Sequence, residues 1–557
     1  MSAASQMLDT LRAWGVPHVF CCPGTSEIPL LDALAEPEYS DRDPRFVLTT
    51  HEAISVSRAD GYARASGGIG VAYLHTNVGL ANGLAHLYAA QVARSSVAVI
   101  VGVKGTATLP HRALTTSPRL LDTAAPYVGH AWLNLRADAL VDDVDRALWR
   151  STVVPEQPSI LAVPQDHLAA ADATGTSAGR RMPARQRPSA ESVVCAVETI
   201  RASRRPVIVA GSDVARRRAT AALESIAERI GAPLYAESRR DLERWPLRTS
   251  HPHHCGLFDP RTPAVAESDL VILAGMPTPL EFSAEVAILP HGVPVLHITE
   301  DAAEAGRRYA PAAALVGDTA AALADLAATL DAATRDVVDS APQREHLAQA
   351  RAEHESRLAG WRRDVPADAE GGAFDAAVAM RVLADSLGTE GVLVLDGVTS
   401  TLPLLRFLER DDDDSLFATA SGSLGWGMGA AAGVALARAE RTIAVVGDGV
   451  LQFGVPALWT AARHCIPVTY LVVNNGRYQA VISGLMKSGG AASRTGEYPL
   501  TDISGLDIGG LARSFGIPSE TVTGAAGLRA AVAAELGRTA QDGPRLIEVR
   551  VSDALWQ

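Results

Sequence analysis

Thr442-Ile443-Ala444-Val445-Val446-Gly447-Asp448-Gly449, followed by Val468-Thr469-Tyr470-Leu471-Val472-Val473-Asn474-Asn475, is the stretch whose reading decides the fold. Each half is an apolar run of strand length ending in small and polar residues, and between them a helical pattern runs from about Val455 to His464. Strand, turn, helix and strand in that order put Asp448 and Asn475 at neighbouring carboxyl ends, where open α/β sheets bind ligands. Gly447 and Gly449 let the backbone approach a phosphate, and the helix start beyond them presents free N–H groups. Magnesium takes an octahedron of oxygens shared with substrate phosphates. The Asp448 carboxylate, the Asn475 amide oxygen and a backbone carbonyl just beyond, at Arg477, make a sensible protein share. Asp-Gly alone is a common turn; paired with two asparagines, each half after a buried strand, it reads as a magnesium diphosphate anchor.

GDG followed at this distance by NN is the signature of thiamine diphosphate enzymes. The surrounding residues, GDGVLQFGVPALWTAARHCIPVTYLVVNNGRYQAV, resemble the cofactor-binding domain of the decarboxylase and acetolactate synthase family. The likeness is strongest to the benzoylformate decarboxylase branch and extends over most of the chain. It implies thiamine diphosphate and Mg2+ as cofactors.

The 557 residues suit about three domains of roughly 150 residues each. Hydrophobic residues make up 47% and charged residues 20%, as in a soluble globular protein. The net charge of −13 leaves no basic surplus for nucleic acid or an anionic membrane. No apolar run reaches the roughly 18 to 20 residues of a membrane span, and MSAASQMLDTLRAWGV reads as an amphipathic helix rather than a signal peptide. Cys21, Cys22, Cys195, Cys255 and Cys465 lack paired metal spacing, so a reduced, cytoplasmic protein is expected.

Strands alternate with helices throughout, which predicts an α/β protein of three doubly wound parallel-sheet domains. Two passages, the polar 170–188 and the charged, largely helical stretch from about 331 to 371, read as linkers. The expected domains are an N-terminal pyrimidine-binding domain over 1–170, a middle domain over 188–330 and a C-terminal diphosphate-binding domain over 372–557. The acidic run Asp411 to Asp414 reads as a solvated loop.

Thr49-Thr50-His51-Glu52-Ala53 follows the apolar Phe46-Val47-Leu48 and opens a helix that ends in Asp60-Gly61-Tyr62-Ala63-Arg64. Alone, Glu52 reads as a first-turn acid favoured by the helix dipole. The resemblance makes it the carboxylate that serves N1′ of the aminopyrimidine, from the opposite subunit, which implies a homodimer or homotetramer with active sites at the dimer interface. A carboxylate for that task needs a partly dehydrated place. By the same resemblance Leu424, in Ser421-Gly422-Ser423-Leu424-Gly425, props the cofactor in its V shape and the Gly422 carbonyl faces the 4′-amino group. Without the other motifs Leu424 would be ordinary core. Thr399 and Ser400 match diphosphate ligands, and are otherwise a polar helix cap. Asn82, Gly447, Gly449 and Tyr478 also fall at family cofactor positions.

His75 ends another buried strand, a place usually held by a structural histidine, but it matches the family's active-site histidine and can exchange a proton near neutral pH. Thr25, in Cys22-Pro23-Gly24-Thr25-Ser26-Glu27, matches a substrate-carboxylate position and otherwise belongs to an ordinary turn. Two departures bear on substrate. Met276-Pro277-Thr278-Pro279-Leu280-Glu281-Phe282 lacks a second active-site histidine, and the passage VISGLMKSGGAASRTGEYPL after Tyr478 reads as a Gly/Ser-rich lid. The Val207 to Ser212 turn is too common to mark a flavin site. His251-Pro252-His253-His254-Cys255 reads as a loop rather than a zinc site. The expected activity is decarboxylation of a 2-oxo acid to an aldehyde. The alternatives are carboligation to an aldehyde or ketone acceptor, giving a hydroxy ketone, and a non-catalytic cofactor-binding scaffold, which should have lost Glu52, Asp448 or Asn475.

Overall fold

The computed structural model describes residues 2–39, 42–171, 185–280, 288–333, 341–367 and 374–552. Three runs of alternating strand and helix form three six-stranded sheets with every ladder parallel. The first contains β1 (His18–Cys22), β2 (Arg45–Leu48), β3 (Gly70–His75), β4 (Val97–Val103), β5 (His130–Leu133) and β6 (Ser159–Pro164), in the order β2-β1-β3-β4-β6-β5. The second contains β7 (Pro206–Ala210), β8 (Leu234–Ala236), β9 (His254–Leu257), β10 (Leu270–Ala274), β11 (Val295–Thr299) and β12 (Ala313–Val316), in the order β12-β11-β10-β7-β8-β9. The third contains β13 (Val392–Asp396), β14 (Leu416–Ala418), β15 (Thr442–Gly447), β16 (Val468–Asn474), β17 (Ser519–Val522) and β18 (Arg545–Arg550), in the order β14-β13-β15-β16-β18-β17.

Central strands such as β4, β7 and β13 are buried along their whole length, because helices cover both faces. That is why they read as unbroken apolar runs rather than alternating ones. The first and third sheets share one strand order. In each, the order reverses beside the first strand, opening a crevice at the carboxyl ends of β1 and β3 and again at those of β13 and β15.

The helix Glu52–Ser66 of the first sheet lies directly on the helix Trp426–Arg438 of the third, with glycines at the crossing. A Cβ on Gly433 would stand 2.1 Å from the Arg58 carbonyl oxygen, and one on Gly61 would stand 2.3 Å from that of Ala430. Backbone on backbone leaves no room for even a methyl group. Gly433→Ala is therefore expected to destabilise the protein by about 1–3 kcal/mol. A calorimetric midpoint equal to wild type would show that the two helices separate freely.

Several local expectations change in the folded chain. The helix after β15 starts at Asp448 itself, not near Val455: Asp448–Gly454 is followed by Pro456–Arg463, with Pro456 opening the second piece. Gly454 is pressed against Met428, where a Cβ would come within 2.5 Å. The acidic run is only half solvated. Asp414 is buried and meets Arg218, Arg244 and Arg438 at 3.3, 3.4 and 3.3 Å, and Asp413 accepts from Thr220 Oγ1 at 2.6 Å. The passage 331–371 does contain the expected helix, Ala341–Asp364, but its Gln343, His346 and Ala350 are buried, which a plain linker would not require. The passage read as a lid forms the helices Gln479–Lys487 and Ala491–Thr495.

Candidate active site

β15 delivers Gly447 to the carboxyl edge of the third sheet, and the next helix begins at Asp448, which is buried. Asp448 Oδ1 accepts from the Gly449 N–H at 2.8 Å, and Oδ2 accepts from the Gly476 N–H at 2.7 Å. Asn475 Oδ1 accepts from the Arg477 N–H at 3.1 Å. The carboxylate and the amide oxygen therefore address the same tight turn, in which Gly476 takes φ +66°. The Tyr478 ring covers Gly449, where a Cβ would meet Cε1 at 2.9 Å, while nothing lies within 4 Å of a Cβ on Gly447. A cavity of about 410 Å³ opens beside Asp448, Gln452, Asn474, Gly476, Ile503 and Arg550. Every residue around it comes from the third-sheet region. Among the described residues no three His, Cys, Asp or Glu side chains gather as a metal cluster. One carboxylate and one amide oxygen fit Mg2+ that takes its other ligands from a diphosphate and water.

Burial raises the Asp448 carboxyl above the usual carboxylate range, against the pull of the Gly449, Gly476 and Asn475 N–H groups. A bound divalent cation would reverse that direction. At the adjoining strand end, Asp396 is fully enclosed and is pushed up to about 7 by burial, although it accepts from the Gly427 N–H at 2.9 Å. Val398, two residues on, holds φ +48°, a strained value for a β-branched residue. Of the two residues read as diphosphate ligands, Thr399 is exposed. Ser400 is buried and donates Oγ–H to the Gly397 carbonyl at 3.0 Å, within the turn after β13.

Gly422 takes φ +70° in the loop before the helix Trp426–Arg438, and Leu424 is half-buried rather than enclosed. His86 links this loop to the first sheet's helices: Nδ1 meets the Ala53 carbonyl at 2.7 Å and Nε2 the Leu424 carbonyl at 3.3 Å. Ser423 Oγ–H donates to the Ala85 carbonyl at 2.6 Å.

In the first sheet, Glu52 starts its helix after β2. Its Oε2 accepts from Asn82 Nδ2 at 3.0 Å, and a Cβ on Gly79 would stand 2.9 Å from Oε1. Asn82, read as a cofactor residue, thus holds the carboxylate in place. The Cys22 thiol is pushed up to about 12 by burial and then by the charge of the neighbouring Glu52. His75 ends β3, and its Nδ1 lies 2.9 Å from Oε2 of Glu27. Glu27 is completely buried; burial raises its carboxyl, offset by the Gly24 N–H and by His75. A Cβ on Gly24 would strike the His75 ring at 2.4 Å, so that glycine is required by the imidazole. Thr25 Oγ1 accepts from Lys104 Nζ at 2.8 Å.

Sequence reasoning missed Glu27, Cys22, Lys104 and Asp396 as parts of this arrangement. Glu27 stands two residues beyond Thr25 in a loop already singled out, but nothing local shows that its carboxylate turns back onto β3.

In the middle region, Met276 to Leu280 bring no histidine, while Glu281 and Phe282 lie outside the described residues. His297 on β11 is buried and bonded to the Met276 carbonyl at 3.0 Å. At the carboxyl end of β7, Ser212 donates both its N–H and its hydroxyl to Glu237. His251, His253 and His254 are engaged separately, with Glu228, the Ala232 carbonyl and the ring of His354.

Profiles of three thiamine pyrophosphate enzyme domains match the chain: the N-terminal binding domain over residues 1–123, the central domain over 193–326 and the C-terminal binding domain over 398–549. A benzoylformate decarboxylase from Pseudomonas aeruginosa is 27% identical, over 98% of this chain and 98% of its own. An acetolactate synthase large subunit from Parasynechococcus marenigrum is 24% identical, over 99% of this chain and 88% of its own. A solved thiamine diphosphate-dependent 4-hydroxybenzoylformate decarboxylase from Rhodococcus jostii is similar with a TM-score of 0.85 at 26% identity, covering 99% of each chain. With three matching domains and two sheets of one design carrying the crevices, the chain belongs to the thiamine diphosphate enzymes, in the family of decarboxylases and acetolactate synthases.

Proposed function

We propose that this enzyme decarboxylates a 2-oxo acid to an aldehyde, with thiamine diphosphate held through Mg2+ by Asp448, Asn475 and the Arg477 carbonyl. The observation that carries the reading is the convergence of the Asp448 and Asn475 oxygens on one turn beside an open cavity. Bound thiamine diphosphate supplies a nucleophilic carbon and an electron sink for the bond that releases carbon dioxide. The chain's share is positioning and proton handling. Glu52, fixed by Asn82 and Gly79, holds a proton at the aminopyrimidine. His75, oriented through Nδ1 by Glu27, presents Nε2 to exchange a proton with the substrate-derived oxygen. Leu424 and Gly422 support the cofactor, and Thr399 and Tyr478 flank it.

The site is expected to be shared between two copies of the chain. No N-terminal residue lines the cavity at Asp448. Leu48, just ahead of Glu52, bonds His464 at the amino edge of the third sheet, opposite the carboxyl edge that carries Asp448. Val78 and Leu114 near the first crevice, and Phe453, Val481 and Leu500 in the third-sheet region, are exposed at 49, 77, 59, 50 and 97%. Apolar side chains so placed suit a homodimer or homotetramer interface. Five free cysteines fit a reducing, cytoplasmic setting.

Carboligation is the second reading, favoured by the absence of histidine from Met276 to Leu280. Purified protein with thiamine diphosphate and magnesium, given a panel of 2-oxo acids with and without aldehyde acceptors, tests both. His75→Ala is expected to slow turnover by roughly 10²–10⁴-fold with cofactor affinity nearly intact. An unimpaired variant would reject the role of His75, and aldehyde alone at saturating acceptor would reject carboligation.

A further inference from the structure

Of the 50 basic residues in this chain only Lys104 and Lys487 are lysine. Where the surface cation is arginine almost everywhere, the compact ammonium of Lys104 is a distinct chemical choice. Lys104 follows β4, and its Nζ donates to Thr25 Oγ1 at 2.8 Å. Thr25 is fixed from the far side, its carbonyl accepting from Gln165 Nε2 at 3.1 Å. Two residues on, Glu27 takes His75 Nδ1 at 2.9 Å. Gly102, opposite His75 in the ladder, lies so close to Glu27 that a Cβ there would meet Oε1 at 1.8 Å. Lys104, Thr25 and the Glu27–His75 pair thus occupy the adjacent carboxyl ends of β4, β1 and β3.

Among the described residues no carboxylate pairs with Lys104. Asp166, packed against Gly105, directs its oxygens to the Thr106 N–H and hydroxyl instead. Among the described residues the ammonium has one hydrogen-bond partner, so a half-buried positive charge stands open at the strand end next to that of the candidate catalytic histidine. A cation fixed on the carboxylate that departs would stabilise the ground state more than the transition state, because that charge moves into the cofactor as the bond breaks. It is useful on a charge that survives the reaction.

We propose that Lys104, positioned by the Thr25 hydroxyl, is a specificity-determining residue that binds a second, non-departing carboxylate, which makes 2-oxo dicarboxylic acids the preferred substrate class. This rests on the decarboxylase reading. The test compares the holoenzyme's kcat/KM for four- to six-carbon 2-oxo diacids with that for their distal monomethyl esters, which match them in length but lack the second charge. Wild type is expected to favour a diacid by roughly 10- to 100-fold, the size of one charge-assisted hydrogen bond, and Lys104→Met and Lys104→Gln to bring the ratio close to one. No preference at any length, or equal losses on diacid and ester in the variants, would overturn the proposal. Calorimetry of the holoenzyme with glutarate and with monomethyl glutarate gives a readout that needs no turnover. Selective glutarate binding lost in Lys104→Met supports the anion site even if every 2-oxo acid proves inert, which would defeat only the decarboxylase reading; equal binding of the two ligands overturns the site itself.

Discussion

Asp448→Ala is expected to weaken magnesium-dependent binding of thiamine diphosphate by at least about 100-fold, since even outer-shell partners of metal ligands are worth roughly 10–100-fold. It removes the one carboxylate at the turn that Asn475 and Gly476 complete. The apo fold should survive. Burial raises the Asp448 carboxyl, so the folded chain favours its protonated form. The stability linked to that proton is present below the ordinary carboxylate range and is lost as pH rises through the raised value. At neutral pH the ionised side chain is therefore a cost to the apo protein, which a bound cation offsets. Asp448→Asn, which keeps an acceptor for the Gly476 N–H, should have an apo melting temperature equal to or above wild type at pH 8, yet bind cofactor as poorly as the alanine variant. Proton and metal compete for the same oxygens, so wild-type magnesium affinity should fall as pH is lowered toward the raised Asp448 value. Calorimetry of cofactor binding with magnesium, from pH 5 to 8, checks both statements. Wild-type affinity in Asp448→Ala would remove this residue from the anchor.

Glu52→Gln should retain cofactor binding and lose the activation that the carboxyl group provides, with hydrogen–deuterium exchange at the cofactor's C2 slowed by roughly 10²–10⁴-fold. Glutamine has the same shape, so Gly79, where a Cβ would stand 2.9 Å from Glu52 Oε1, still accommodates it. Its amide oxygen can turn toward Asn82 Nδ2, now 3.0 Å from Oε2, and preserve that hydrogen bond. What the amide lacks is an acidic proton. Cofactor affinity within a few-fold of wild type, together with slow exchange, is the expected pair of results. Exchange at the wild-type rate would leave Glu52 as a helix-start acid and no more.

The parallel strands and the anchor were legible in the sequence because both are local. Apolar runs such as Val97–Val103 and Thr442–Val446 are continuous since both faces are covered, and Asp448 and Asn475 follow their strands directly. Glu52 was legible for the same reason, as the first residue of a helix after a short apolar run. The sequence puts the helix start at Val455 because Gly449 and Gly454 look like loop residues. In the fold they are the sites where Tyr478 and Met428 press on the helix, so only glycine fits there. The acidic run reads as solvated because its partners Arg218, Arg244 and Arg438 are far away along the chain.

Residue chemistry at strand ends was thus determined by the sequence alone, whereas the company each residue keeps was decided by the order in which strands lie side by side. Thr25 and Lys104 are 79 residues apart and touch only because β1, β3 and β4 are neighbours. Glu27 reaches His75 across 48 residues for the same reason. The shared strand order of the first and third sheets, which sets one crevice beside His75 and another beside Asp448, has no signature in either segment. Hydrophobic periodicity records which face of an element is buried. It carries no information on which neighbour buries it, because any apolar face of the same width satisfies the same pattern, and only close packing of the whole chain selects one arrangement.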